Sequence, residues 1–211
     1  MLKDDNMQKN IAILTLLAGI AMSGSAQSAL FDRGGGLIYD TDLNITWLAN
    51  ANVNGAMNWN DAMTWASNLS YYDSVRNVTY TDWRLPTSDT CSGYNCTGSE
   101  MGHLFYTELG GMPGNDIAAT HFWNIDYNMF QNIQSDFYWS GTEYAPNTDT
   151  DGARIFNFND GSQTAYNKGI NLYAWAVRPG DVAAVPLPAT AWLFGSGLLG
   201  LLGAARARRR R

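Results

Sequence analysis

Apolar and polar residues alternate in two patterns in the first half of the chain, one with the period of a strand and one with that of a helix. Residues 36–40 and 45–48 are short apolar runs joined by an Asp- and Asn-rich segment, a pattern that predicts a β-hairpin. From Trp59 to Leu69 the apolar residues recur every three or four positions, which places them on one face of a helix. The first half therefore begins with a hairpin followed by an amphipathic helix.

Residues at the helix ends support the first helix and predict a second. Asn58 and Asn60 are both candidate N-caps for the first helix, because a short polar side chain can accept from a free amide of the first turn. Residues 97–100, Thr-Gly-Ser-Glu, fit a capping box. Residues 101–109 then carry apolar positions at helical spacing, and the Gly-Gly pair at 110–111 ends this second helix.

The last third of the chain is typical of β-structure. The predicted strands are residues 137–141, 153–158, 163–166 and 172–178. Asp160-Gly161, between the second and third of them, is a favoured hairpin-turn dipeptide. Helices early and antiparallel strands late predict a single α+β domain with two helices and a mainly antiparallel sheet.

The N-terminal segment is typical of a secretory signal peptide. Residues 11–22 are a 12-residue apolar run, followed by small residues up to Ala29. The run is too short to span a bilayer, which needs about 20 apolar residues. We expect cleavage after Ala26 or Ala29, so that residues 1–29 direct export. The alternative is a buried N-terminal helix.

The C-terminal segment has three parts in a fixed order. A short Pro motif comes first, made of Val185, Pro186, Leu187, Pro188 and Ala189. The 17 apolar positions of 189–205 predict a transmembrane helix about 25 Å long, and the Arg cluster at 206–211 should stay cytoplasmic. The order resembles the PEP-CTERM sorting signal in its VPLPA variant. The resemblance implies an exosortase-type processing protease as partner; the alternative is a plain membrane anchor.

The domain between these signals, residues 30–184, is strongly acidic. Six lysines and arginines against 17 aspartates and glutamates give it a formal net charge of −11. Nucleic acid needs a basic face, so a nucleic-acid partner is excluded. The charge also repels anionic glycans and lipid headgroups, and it suits cations or neutral sugars.

Several motifs of the domain resemble one known family. They lie, in chain order, at residues 36–40, 46–48, 58–62, 82–87, 138–140, 158–161 and 176–179. The Trp-Arg-Leu-Pro-Thr core at 83–87 is the most specific of them. Together they are similar to the C-terminal domain of the Legionella collagen-like adhesin over about residues 34–180. The resemblance implies a C-type-lectin-like fold and an extracellular binding or adhesion module. That adhesin engages sulfated glycosaminoglycans, a ligand that the charge of −11 does not suit.

One loop has the spacing of a calcium site. Asn147, Asp149 and Asp151 stand at alternate positions before a glycine, which places several oxygens on one side of a turn. Phe158 occupies the position where a calcium loop of this type carries a bidentate Glu. The alternative is a solvated Asx-rich turn. Calcium is the one cofactor for which the sequence offers candidate ligands.

A second candidate site contains Trp123, Asn124 and Asp126. These residues are a looser version of the Trp-Asn-Asp triplet of calcium-binding lectins, and they fall in a predicted loop. The similar triplet at 59–61 opens the first helix, where Trp59 is expected in the core. An exposed Trp beside acidic residues is typical of a glycan site, because an aromatic face stacks on a sugar ring.

Two arginines and two cysteines have predicted structural roles. Arg84 and Arg178 are scarce cations in an acidic domain, and we expect hydrogen-bonded ion pairs with carboxylates. The alternative is a clamp for a ligand carboxylate. Cys91 and Cys96 lie in an exported domain, where oxidising surroundings favour a disulfide.

The sequence predicts a non-catalytic binding or adhesion domain, exported across the inner membrane. It would first be membrane-anchored on the periplasmic side, and then reach the cell surface or extracellular matrix. Extracellular polysaccharide is the expected ligand class. His103 and His121, the two histidines, have no Ser or Cys partner in a recognisable motif, so a nucleophilic triad is not predicted. The alternatives are an enzyme acting on extracellular polysaccharide and a structural matrix protein.

Overall fold

The computed structural model describes residues 29–144 and 151–182 of the 211-residue chain. Residues 1–28 of the predicted signal peptide and the whole predicted sorting segment, 185–211, lie outside the described residues. Within the described ranges, none of the helices has the length and hydropathy that a membrane span requires.

The described residues form two larger sheets and one small hairpin. The strands are β1 (Leu30–Asp32), β2 (Leu37–Asp40), β3 (Ile45–Leu48), β4 (Ala56–Met57), β5 (Tyr71–Asp73), β6 (Val78–Tyr80), β7 (Phe137–Tyr144), β8 (Gly152–Asn157), β9 (Gln163–Asn167), β10 (Leu172–Tyr173) and β11 (Val177–Pro179). One sheet has the order β1-β2-β3-β11, the other has the order β4-β10-β7-β8-β9, and β5 pairs with β6. Only the β10–β7 pairing is parallel among the described ladders.

Two helices lie between the strands, so the predicted α+β class is confirmed. They are α1 (Trp59–Asn68) and α2 (Glu100–His103), and α2 continues into a π-helical turn, Leu104–Glu108. Two 3-10 turns follow, Ile117–Phe122 and Asp126–Met129.

The predicted first hairpin is confirmed as β2 and β3. All four residues of β3 are buried, which suits an inner strand with β2 and β11 on its two sides. Asp40 closes the turn, because its Oδ1 accepts from the amides of Asp42 at 3.1 Å and Leu43 at 3.0 Å. Asn44 takes φ 51°, a left-handed conformation that Asn tolerates. The turn is therefore built by local side-chain hydrogen bonds.

Helix α1 confirms the second pattern, with one exception. Asn58 is its N-cap and accepts from the Asp61 amide at 3.0 Å. Trp59 and two alanines are buried on the predicted face, but Met63 is 37% exposed. Instead, Trp65 covers part of this face as a half-buried side chain.

The predicted second helix differs from the structure in its cap and its winding. The N-cap is Ser99, whose Oγ accepts from the Gly102 amide at 3.0 Å, so the capping box beginning at residue 97 is wrong. Glu100 is then the first helical residue, and its carboxylate is free to reach outside the helix. After His103 the winding loosens, and the Leu109 amide donates to the Leu104 carbonyl at 2.9 Å, a five-residue step.

The predicted strand at 172–178 is two strands in different sheets. Residues 174–176 interrupt it, because these buried residues pass from the β4-containing sheet to the β1-containing sheet. The Trp175 indole donates to the Leu48 carbonyl at 2.7 Å and meets the Trp47 ring edge-to-face, with centroids 5.1 Å apart. A central aromatic residue thus joins the two sheets.

Aromatic rings dominate the main core. Its largest fully buried side chains are Trp47, Trp175, Tyr138, Phe105, Phe156 and Phe158, while Trp139 lies in a second, smaller cluster. The Tyr138 hydroxyl accepts from the Gln134 amide at 2.8 Å, and burial raises the pKa of this phenol strongly. Tight edge-to-face contacts between these rings add to the free energy of area burial.

Arg84 makes a two-pronged ion pair with Glu100 and joins three parts of the chain. Its two terminal nitrogens donate to the Glu100 carboxylate at 2.7 Å each. The Thr87 amide donates to the same carboxylate at 2.7 Å, and the backbone of Arg84 exchanges hydrogen bonds with Val177 at 2.8 and 2.9 Å. The Trp-Arg-Leu-Pro-Thr segment is therefore fixed to both α2 and β11.

Arg178 makes a similar pair with Asp82. Its Nε and Nη2 donate to the carboxylate at 2.9 Å each, and the guanidinium lies 4.4 Å from the Tyr80 ring centroid. The hydrogen bond from Arg178 lowers the pKa of Asp82. The Asp82 side chain is 47% exposed, whereas that of Glu100 is 12% exposed.

This difference in exposure predicts different costs for two conservative changes. Glu100→Gln should lower the free energy of unfolding by about 1–3 kcal/mol, because a largely buried carboxylate that accepts from Arg84 and from the Thr87 amide loses its charge. Asp82→Asn, the matched control, should cost under about 1 kcal/mol, since solvent screens the exposed Asp82 carboxylate. Urea unfolding of the full chain followed by circular dichroism measures both. Equal costs would contradict the role assigned to the Arg84 pair.

Candidate functional site

Three large apolar side chains project from one loop. Phe122, Trp123 and Ile125 are 80%, 63% and 78% exposed. Phe122 ends the first 3-10 turn, and Trp123 and Ile125 lie between the two turns, so the loop is short and flanked by helical turns. Contiguous exposed apolar side chains of this kind mark binding surfaces more often than isolated ones do.

Trp123 also borders a pocket of about 310 Å³. The pocket is lined by Gly110, Met112, Asn115, Asp116, Ala119, Thr120 and Trp123. Its volume lies at the low end of the roughly 300–1,000 Å³ typical of small-molecule sites. An indole and a thioether supply apolar walls, while an amide and a carboxylate supply polar groups. Such a mixture suits a ligand with an apolar face and a hydroxylated rim.

Polar contacts anchor the loop that carries Trp123. Asn124 donates through Nδ2 to the Glu108 carbonyl at 2.8 Å, and its Oδ1 accepts from the Asp126 amide at 2.8 Å. The Asp116 carboxylate caps the preceding 3-10 turn by accepting from Ala118 at 2.8 Å. The exposed aromatic side chains are therefore carried on fixed backbone.

The sequence-predicted ligand residues do not converge on one accessible point. Trp123 faces the pocket, whereas Asn124 is a half-buried tether within the loop. Asp126 is 8% exposed, and its Oδ1 has no hydrogen-bond partner among the described residues. Of the three, the structure brings Trp123 alone to the surface of the pocket.

The predicted calcium loop lies mostly outside the described residues. Asn147 and Asp149 are in the undescribed segment 145–150, while Asp151 is described. Asp151 is 3.1 Å from the Lys168 ammonium, which also lies 2.8 Å from Glu143. The hydrogen bond to Glu143 raises the pKa of Lys168. Asp151 thus already has a cationic partner, and calcium binding at this loop stays a prediction.

The predicted disulfide is present and closes a short loop beside the second sheet. Cys91 and Cys96 are bonded, with Cα atoms 5.5 Å apart. Arg154 donates to the Cys91 carbonyl at 3.0 Å and to Ser92 Oγ at 2.8 Å. Gln163 also donates to the Cys91 carbonyl, at 2.8 Å. The Arg154 guanidinium therefore holds this loop in place. Arg154 also lines a second, more polar pocket of about 300 Å³.

A buried cluster of one histidine and two carboxylates lies below the first hairpin. Donor atoms of Asp40, His103 and Glu108 all lie within 4.8 Å of one another. His103 Nε2 is 3.1 Å from Glu108 Oε1 and 3.9 Å from Asp42 Oδ2. Burial raises the pKa of Asp40; burial, and then repulsion from Asp40, raise that of Glu108.

Sequence reasoning missed this cluster for a specific geometric reason. His103 and Glu108 are five residues apart, a spacing that turns side chains to different faces of an α-helix. The π-helical turn closes on a five-residue step and brings them to one side. Asp40 comes from the β2–β3 turn, far away in the chain. In the sequence, Asp40 is visible only as part of the Asp- and Asn-rich turn between the first two predicted strands.

Comparison with protein-family models gives one match. Residues 36–178 match the Lcl C-terminal domain, and the match includes both helices, the pocket and every strand except β1 and the last residue of β11. A search of curated proteins found no match. The matched segment is more than half of the chain and agrees with the motifs that pointed to an adhesin-like domain. The chain belongs to the Lcl C-terminal domain family.

Proposed function

We propose that this protein is an exported, non-catalytic binding domain. The exposed Trp123 ring and the pocket beside it, called the Trp123 face, bind neutral polysaccharide of the envelope or biofilm matrix. The observation that carries the proposal is the 63% exposed Trp123 ring beside a preformed pocket. Membership of an adhesin-like family supports a binding role.

The chemistry of the pocket favours a sugar over a purely apolar ligand. An aromatic face stacks on the C–H face of a sugar ring, as Trp123 allows. Asn115 and Asp116 both line the pocket, where amide and carboxylate groups can pair with hydroxyls. The Asp116 Oδ1 already accepts from the Ala118 amide and from Ser135 Oγ, and a carboxylate has further acceptor capacity for a ligand hydroxyl.

The negative charge of the domain favours neutral over anionic polysaccharide. The domain carries a formal charge of −11 over residues 30–184, and Asp116 lies in the pocket itself. A sulfated or carboxylated chain would meet repulsion there. Neutral polysaccharide carries no such penalty, so we assign it as the ligand class.

The enzyme alternative would need two carboxylates flanking a glycosidic bond. By distance, Asp40 and Glu108 are a candidate pair. However, Asp40 is fully buried and the Glu108 side chain is 5% exposed, so a polysaccharide chain has no room between them. This geometry supports binding over hydrolysis. A turnover assay on the same polysaccharides is the direct check.

Export and sorting complete the proposal. Residues 1–29 would direct the chain across the inner membrane, and 185–211 would hold it there for an exosortase-type protease. The domain would then face the periplasm before reaching the surface or matrix. The order of the three C-terminal parts supports this assignment.

The first of two predictions from this proposal concerns Trp123. Trp123→Ala should weaken binding of the full chain to a neutral bacterial polysaccharide by about tenfold, equivalent to about 1.4 kcal/mol. The melting temperature should change little, because the ring is largely solvent-exposed. A polysaccharide array read beside calorimetry measures both quantities.

Tyr72→Ala is the matched control, since Tyr72 is 59% exposed on the separate β5–β6 hairpin. It should leave binding unchanged. Wild-type affinity in Trp123→Ala, or preferential binding of a sulfated glycosaminoglycan, would contradict the proposal. A matrix protein without a ligand would give no binding at all.

The second prediction concerns sorting. Deleting the arginines of 206–211 should leave export intact but disturb retention and C-terminal processing, because the cytoplasmic stop signal is lost. Cell fractionation and the mass of the mature C-terminus report the change. Replacing the same arginines with lysines, which keeps the charge, is the control and should sort normally if charge alone is read. An unchanged C-terminal mass after deletion would refute the sorting assignment.

A further inference from the structure

We propose that Asp40, His103 and Glu108 form a binding site for a divalent transition-metal ion, with Zn²⁺ as the best-matched ion. The site is separate from the Trp123 pocket and from the predicted calcium loop. It rests on the geometry of described residues alone, so it stands or falls independently of the proposed polysaccharide ligand.

The three donors lie close to the spacing of a metal site. Zn²⁺ bonds of about 2.0–2.2 Å in a tetrahedron place the ligand atoms about 3.3–3.6 Å apart. His103 Nε2 and Glu108 Oε1 are 3.1 Å apart, and an Asp40 oxygen lies within 4.8 Å of both. Three bonds around one ion therefore require the Asp40 oxygen to approach the other two donors by at most about 1.5 Å.

The cluster carries more negative charge than its surroundings compensate. Asp40 is fully buried and the Glu108 side chain is 5% exposed. Among the described residues, His103 is a basic side chain beside them, and its Nε2 lies 3.1 Å from Glu108 Oε1. Two buried carboxylates near each other are costly unless a cation or protons neutralise them.

One buried oxygen is poorly satisfied by the protein. Asp40 Oδ2 accepts from the Trp47 indole at 3.4 Å, beyond the usual range of an N–H···O bond. Its neighbour Oδ1 is held by two backbone amides at 3.0 and 3.1 Å. In metal sites, outer-sphere hydrogen bonds orient the ligating carboxylates. Asp40 has this arrangement, since backbone amides hold Oδ1 while Oδ2 has only a long hydrogen bond.

The donor set discriminates among ions. Calcium and magnesium prefer all-oxygen shells with six or more ligands. An imidazole nitrogen with two carboxylates instead suits Zn²⁺, or Mn²⁺ less strongly. Asp42, 55% exposed and 3.9 Å from His103 Nε2, marks the open side, where its carboxylate or a water supplies a fourth ligand.

The test titrates the purified full chain, kept in mild detergent and stripped with a chelator, with Zn²⁺, Co²⁺ and Ca²⁺. Calorimetry should show one Zn²⁺ per chain, and Zn²⁺ should raise the melting temperature, because the ion binds the folded form. Co²⁺ should give the visible absorption of a tetrahedral site. Ca²⁺ should not displace Co²⁺ from this site.

The site variants are His103→Gln and Glu108→Gln, which keep size and hydrogen-bonding groups. Each should weaken Zn²⁺ binding by at least about tenfold and reduce the Co²⁺ absorption. Circular dichroism of the metal-free variants checks that both are folded. The control is the double change Asp149→Asn, Asp151→Asn in the predicted calcium loop, which should leave Zn²⁺ affinity unchanged.

Three outcomes would overturn the proposal. The first is that the wild type binds no Zn²⁺ at millimolar concentration. The second is that folded His103→Gln and Glu108→Gln bind with wild-type affinity. The third is that the loop double variant loses Zn²⁺ binding instead, which would place the ion at 147–151. None of these outcomes bears on the Trp123 test.

Discussion

The fold depends on how Trp175 holds two sheets together. The chain changes sheets within residues 174–176, and the indole N–H donates to Leu48 in the first sheet at 2.7 Å. The same ring packs against Trp47 at 5.1 Å and against Phe130 at 5.2 Å. Buried aromatic residues cover a large area and prefer defined ring geometries. The Trp175 side chain therefore determines both where the chain passes between the two sheets and how the neighbouring rings pack.

The π-helical turn connects this centre with the loop that carries Trp123. Phe105 packs on Phe156 and Phe158 of the core, which anchors the turn. Glu108 then holds Asn124 by its carbonyl, while its carboxylate faces His103. One residue therefore links the buried cluster with the loop that presents Trp123. The exposed aromatic face is part of the scaffold rather than a free loop tip.

Local signals predicted the parts of the fold that local interactions build. The β2–β3 hairpin, the Asn58 cap of α1 and the Asp-Gly turn at 160–161 all depend on hydrogen bonds or φ values within a few residues. The sequence also predicted a loop that contains Trp123. It could not predict that this indole is exposed, because most of the other Trp side chains of the domain are buried in the core.

Long-range contacts determine the parts of the fold that the sequence did not predict. The apolar run at 172–178 is continuous in sequence, but the need to fill the core with Trp175 divides it between two sheets. The cluster of Asp40, His103 and Glu108 combines a hairpin turn with a π-helical turn, and neither its spacing nor its burial has a sequence pattern. The sequence therefore did not reveal a cluster whose members come from distant elements and from an irregular turn.

The most direct measurement of the account is a nuclear magnetic resonance titration of the isotope-labelled full chain with a neutral oligosaccharide. The Trp123 indole N–H, assigned with a Trp123→Phe variant, should show the largest shift, together with the backbone amides of Met112 and Thr120 in the same pocket. The buried indole of Trp175 should stay unchanged. Shifts concentrated instead around Thr142 and Arg154, in the second pocket, would contradict the assignment of the Trp123 face as the binding surface.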